Sequence, residues 1–154
     1  MPKFSATVET TSNANAGAFG TSGNMVNVLC GAGREMKLVA VILRNVAGAA
    51  QDLGRVVVDR ISAVNTANVA SFTPLELDPG GAASAISDTT KVISTACNGS
   101  GGTAVDSAVV EVCEGYNDFS SLNIMSGVAQ GFAIRRATAP TGSRTCVATL
   151  IWEE

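Results

Sequence analysis

No stretch of this chain sustains a helical hydrophobic period with good caps; it is written instead in short β-branched runs separated by Gly, Ala, Ser, Asn and Thr. Ala is abundant but sits beside Gly and Asn, as in Ala14-Asn15-Ala16-Gly17 and Gly48-Ala49-Ala50, which are loop compositions rather than helix interiors. Strands are predicted at Phe4–Glu9, Met25–Cys30, Met36–Asn45, Arg55–Ala63, Lys91–Thr95, Ser107–Glu114, Ser121–Met125, Gly131–Ala137 and Thr145–Trp152, with a weaker one including Ser71–Leu75. Short strands with turn signals between them predict an all-β sandwich or barrel, and the missing helices argue against a parallel α/β sheet. A length of 154 residues fits one domain. A chain of that size buries about 68–70% of its unfolded surface, so it needs neither disulfides nor a metal to fold.

Composition removes several function classes. Hydrophobic residues make up 46% and charged residues 15%, against roughly 25% charged in an ordinary soluble domain. That balance argues against disorder. The net charge of −3 argues against nucleic acid as a partner, since a dedicated binder carries a basic face. There is no histidine, which excludes Ser-His-Asp and Cys-His catalysis and every His-ligated metal site. Met1 to Glu9 lacks the apolar core of a signal peptide. The longest apolar run, Leu38 to Leu43, is strand-sized, far short of the roughly 20 residues of a membrane helix. A cytosolic origin and no membrane partner are therefore expected. The cysteines Cys30, Cys97, Cys113 and Cys146 form no C-x-x-C pair and are read as small hydrophobes with free thiols. The sequon at Asn98-Gly99-Ser100 is read as a turn.

Parity within the strands points outward. In Met36–Asn45, Met36, Leu38, Ala40 and Ile42 alternate with Val39, Val41 and Leu43, so both faces are apolar. In Thr145–Trp152, Cys146, Ala148, Leu150 and Trp152 share one face and Val147 and Ile151 the other. A sheet with one wet face alternates apolar with polar. Either the chain's own loops cover the second face, or another subunit does. The shortage of charge favours an oligomer.

Candidate chemistry is sparse. Gly31-Ala32-Gly33-Arg34 lacks the third glycine and the helix of a dinucleotide site, and is read as a hairpin turn leading into Met36. Glu111 and Glu114 are spaced to point to opposite strand faces, and Asp106 and Asp118 fall in predicted turns, so no paired carboxylates are expected for sugar hydrolysis. No acidic loop has calcium spacing. No catalytic residue, metal ligand or cofactor is expected. Pro74 to Gly81 reads as a punctuated loop, Gly80 to Asp88 as a surface run without strand pattern, and Asn98 to Gly102 as a flexible loop. Arg135-Arg136, with Arg144 nearby, is the basic cluster. It is read either as an ionic contact to a partner subunit or, preferably, as two solvated edge residues. Trp152 is assigned to core or interface. Trp152, Arg135 and Arg136 are the candidate interface residues.

Three segments together carry a resemblance. They are the strand Phe4-Ser5-Ala6-Thr7-Val8, the loop from Thr73 through Leu77-Asp78-Pro79 to Ala82-Ala83-Ser84, and the closing strand Ala148-Thr149-Leu150-Ile151-Trp152-Glu153-Glu154. In these the chain resembles small virion proteins of tailed bacteriophages. The resemblance implies a jelly-roll β-sandwich that decorates or cements the capsid, with the major capsid protein as partner, a homotrimer as assembly and the virion surface as location. It supplies no catalytic residues. A receptor- or glycan-binding module of a head fibre or tail is the competing reading, and would call for exposed aromatics or a calcium loop. Thiol titration of freshly purified, denatured protein is expected to count close to four; a count near zero without reductant would instead mean a disulfide framework.

Overall fold

The computed structural model describes residues 1–10, 16–21, 23–48, 54–78, 80, 84, 86–92, 99–139 and 144–154. The β-branched runs form β1 (Lys3–Thr10), β2 (Asn24–Cys30), β3 (Lys37–Gly48), β4 (Val56–Ala63), β5 (Val69–Ala70), β6 (Leu75–Glu76), β7 (Ile86–Val92), β8 (Thr103–Val112), β9 (Gly115–Asp118), β10 (Gly131–Arg136) and β11 (Arg144–Glu153), with one 3-10 turn at Ser120–Leu122. They pair antiparallel into a five-stranded sheet, β6-β1-β11-β3-β9, and a six-stranded sheet, β5-β7-β2-β10-β4-β8. The two sheets pack face to face. Phe4, Leu38, Leu43, Leu150 and Trp152 of the first interdigitate with Val26, Val28, Val58, Phe132 and Ile134 of the second in one core. The protein is an all-β antiparallel sandwich, as the strand pattern predicts.

Some local expectations are corrected. Ser121–Met125 is not a strand: Ser120–Leu122 turns, and Asn123 follows in the left-handed region at φ 50°. The strand lies just upstream at Gly115–Asp118, where Asn117 Nδ2 donates to the carbonyls of Val41 and Cys113 and its Oδ1 accepts the Cys113 N–H. Ile86 to Asp88, expected within a surface run, open the strand Ile86–Val92; Lys91 and Val92 of the predicted Lys91–Thr95 strand close it, and Ile93 to Thr95 lie outside the described residues. Gly31 to Arg34 does turn, through Arg34 N–H to the Gly31 carbonyl at 3.1 Å, but it carries the chain from one sheet to the other rather than closing a hairpin. The Gly99 to Gly102 run is tied down by bridges Asn24–Gly99 and Ala67–Ser100 and by the Gly101 N–H on Gly20 O at 2.9 Å. Cys97, Asn98, Pro79, Gly81, Ala82 and Ala83 lie outside the described residues.

The two-faced pattern of β3 has a local cause. Leu38 stands opposite Trp152 and Ala40 opposite Ile151, so Val39 is an extra residue in the ladder. Such a bulge moves the alternation by one. Leu38, Val41 and Leu43 therefore all belong to the inter-sheet core, and no single parity covers the strand.

Gly131 opens β10 where the chain passes closest to β2. A Cβ there would lie 1.8 Å from the Val28 carbonyl oxygen, a backbone atom that cannot rotate away. Gly131→Ala should separate β2 from β10 and cost about 1–3 kcal/mol. Urea unfolding checks this, with an unchanged midpoint as the contrary result.

Candidate docking face

Both sheets have an outer face, and the two are finished differently. On the six-stranded sheet, Leu29, Ile61 and Ala133 point away from the inter-sheet core, yet Ile61 and Ala133 are fully buried. Val64 and Phe19 pack over them from the connections that follow β4 and precede β2. Polar groups fasten this cover. Asn27 Nδ2 donates to Asn65 Oδ1 at 2.7 Å, and Asn24 Nδ2 to the Gly99 carbonyl at 2.9 Å. Here the chain's own loops cover the second face.

Arg135 belongs to that covered face. The expectation of solvated edge residues is corrected, because β10 is a central strand between β2 and β4 and all six of its residues are buried. Arg135 and Arg136 point to opposite faces, as strand parity requires. Arg135 forms a bidentate pair with the fully buried Asp59, with Nη2 to Oδ1 at 2.9 Å, and its Nη1 donates to the Gly17 carbonyl. Asp59 Oδ1 also accepts the Ala108 N–H at 2.8 Å, which holds Ala108 at φ 53° on β8. Arg136 points into the core between the sheets and is fully buried. Trp152 is also fully enclosed: its ring stacks on Phe4 with centroids 6.1 Å apart, and its Nε1–H donates to Glu154 Oε1 at 2.9 Å. All three candidate interface residues thus lie inside the chain, and a contact surface has to be built from their neighbours. Arg144 begins β11.

The five-stranded sheet provides such a surface. Register aligns Thr7, Thr149, Ile42 and Tyr116 across four strands, and beside them Leu75, Ser5, Ile151, Ala40 and Asp118 across five. Thr7 and Thr149 share a hydroxyl hydrogen bond of 2.8 Å. Tyr116 is 63% exposed and Leu75 66%, while Ile42, Val147, Thr149 and Ile151 are half-buried. Charges mark the two ends of this strip. Lys3, Glu153 and Lys37 align at one, with Lys3 Nζ 3.7 Å from Glu153, and Glu9 and Arg44 flank Val147 at the other. Asp118 stays ionised below the usual carboxyl range, because the Ser120 hydroxyl and backbone N–H both donate to it. An apolar centre with a charged rim is the composition of a contact surface.

The carboxylates considered for catalysis are dispersed. Glu111 pairs with Arg55 at 3.2 Å, Asp106 lies on β8 rather than in a turn and pairs with Arg60, and Glu114 accepts the Asn45 N–H at 3.3 Å. Ile42 and Ile151 belong to the two-faced strand pattern read from sequence, whereas Tyr116 and Leu75 carry no such signal as surface residues. The alternation in Gly115-Tyr116-Asn117-Asp118 was the available signal for Tyr116, in a run only four residues long.

Asp59→Asn leaves the Arg135 charge buried without its counter-ion, so it should cost about 3–5 kcal/mol, whereas Asp59→Leu with Arg135→Met should recover most of that loss. Equilibrium unfolding in urea measures both. Comparison with known protein families, curated proteins and solved structures finds no match.

Proposed function

We propose that this protein is a structural virion component, a capsid decoration or cement protein that binds the major capsid protein lattice and stabilises the phage head. The observation that carries this reading is the contrast between the outer faces: one is roofed by the chain's own loops, and the other presents Ile42, Tyr116, Thr149 and Ile151 among the described residues. The resemblance in the Phe4, Leu77-Asp78 and Trp152-Glu153-Glu154 segments names the partner. With β5 to β7 set aside as an insertion, the strand orders β1-β11-β3-β9 and β2-β10-β4-β8 support a jelly-roll winding. Among the described residues no helix is long and apolar enough to cross a membrane. The site of action in this reading is the capsid surface, after assembly in the host cytoplasm.

Cementing is a matter of linkage. A protein that binds only the mature lattice stabilises it by about 2.7 kcal/mol per site at a hundredfold excess over Kd. The homotrimer fits the two edges of the five-stranded sheet. Leu75 and Leu77 are exposed at the β6 edge, and Leu122 beside the β9 edge. Two different apolar edges suit a head-to-tail contact that closes into a ring, which leaves the sheet face for the capsid. Light scattering on a size-exclusion peak should then give three times the 15.6 kDa chain mass, and Leu122→Asp should reduce it to one. Thr149→Arg, in the middle of the face, should keep the trimer but abolish co-sedimentation with capsid shells. Wild-type protein that binds glycans or host cells and ignores capsids would reverse the assignment in favour of a fibre or tail module.

A further inference from the structure

One end of the sandwich holds a cation that the contacts above leave unexplained. Arg136 is fully buried on the core side of β10. Its Nη2 lies 3.2 Å from Cys146 Sγ, while its Nε and Nη1 have no hydrogen-bond partner among the described residues. The guanidinium is a rigid fork in which Nη2 shares one donor edge with Nε and the other with Nη1. Whichever edge faces the sulfur, the second donor on that edge is unused. Thr10 stands opposite Cys146 in the β1–β11 ladder, and its Oγ1 lies 3.3 Å from the same sulfur. Buried donors are nearly always satisfied, and a buried guanidinium beside no carboxylate is costly. Oxygen atoms placed on the Cys146 sulfur would use the free nitrogen of that edge together with Nη2.

We propose that Thr10, Cys146 and Arg136 form a peroxide-reactive thiol site, in which Cys146 is the atom oxidised and Arg136 binds the oxygens. The Cys146 sulfur attacks one oxygen of hydrogen peroxide. An S–O bond forms and the O–O bond breaks. The sulfur loses two electrons, the peroxide is reduced, and the departing hydroxide takes the thiol proton and leaves as water. Charge develops on that departing oxygen, where a preorganised N–H donor stabilises it most. The product is the sulfenic acid. A second peroxide, consumed by the same balance, gives the sulfinic acid, whose two oxygens match the guanidinium fork as a carboxylate does. Peroxide is close to water in size and enters through local opening at the strand ends, which does not admit a bulky alkylating reagent.

Cys30 supplies an internal control. It is equally buried, and its thiol is pushed up to about 11 by burial, with the Glu154 charge adding to the effect. The full-length folded protein is exposed to hydrogen peroxide for set times, quenched, denatured and alkylated, and each cysteine peptide is weighed. Cys146 should gain one and then two oxygens at least about tenfold faster than Cys30. Iodoacetamide applied to the folded protein should label Cys113 and leave Cys146 unmodified. Arg136→Met, which removes the charge and keeps most of the volume, should slow Cys146 oxidation about tenfold and leave the Cys30 rate unchanged. Equal oxidation rates for Cys146 and Cys30 in the wild-type protein would overturn the proposal, and so would native alkylation of Cys146 as fast as Cys113. Both of those readings need no variant. An Arg136→Met protein that folds and oxidises at the wild-type rate would overturn it as well.

Discussion

The ladder between β1 and β11 is the constraint on which the rest of the sandwich depends. It runs unbroken from Lys3 opposite Glu153 to Thr10 opposite Cys146, and so joins the two ends of the chain. β11 then pairs with β3 on its other side, so one strand sets the register of the whole five-stranded sheet. The same ladder places Phe4 against Trp152, puts Thr149 in the middle of the outer face and brings Thr10 to Cys146. Closing so long a loop is entropically costly before any contact forms, and folds dominated by such pairings reach the native state slowly. The late closure of this ladder would leave the apolar strands of both sheets exposed in the interval.

The two sheets solve the problem of a second face in different ways. In the six-stranded sheet, buried amides and one buried ion pair fasten loops over apolar residues. Each polar group there needs its partner, since a lone one in a dry site costs more than the bond returns. Asp59 meets that demand three times over, from Arg135 Nε, Arg135 Nη2 and the Ala108 N–H. The five-stranded sheet uses no such cover among the described residues. Its outer face instead mixes Thr with Ile and Tyr, side chains that tolerate water yet gain by leaving it.

Much of the architecture was legible because strand parity and turn chemistry are local. β1, β2, β3, β4, β10 and β11 lie within a few residues of their predicted spans, and the sandwich follows from them. What was not legible depends on tertiary position. Arg135 and Arg136 look like surface residues in a chain short of charge; only the pairing of β10 between β2 and β4 shows that one meets Asp59, which is far away in sequence. β9 is four residues long and is held by Asn117 rather than by propensity. The apolar second face of β3 was a true signal with a mixed origin. Part of it is the bulge at Val39, and part, through Ile42, belongs to the outer strip.

That bulge also shapes how the gene can change. A strand usually tolerates substitutions on its wet face and resists them on its dry one. With Val39 inserted, residues before and after it obey opposite parities, so loss of that one codon would leave an even ladder with Leu38 and Val41 two residues apart and both still on the core face. A one-codon change farther along β3, away from the bulge, would instead carry one flank of the strand to the wrong face. Length drift in this protein should therefore collect in the sheet-to-sheet turns such as Gly31 to Arg34 and at the Val39 bulge, while the spacing from Val41 to Leu43 should be inherited as a fixed unit.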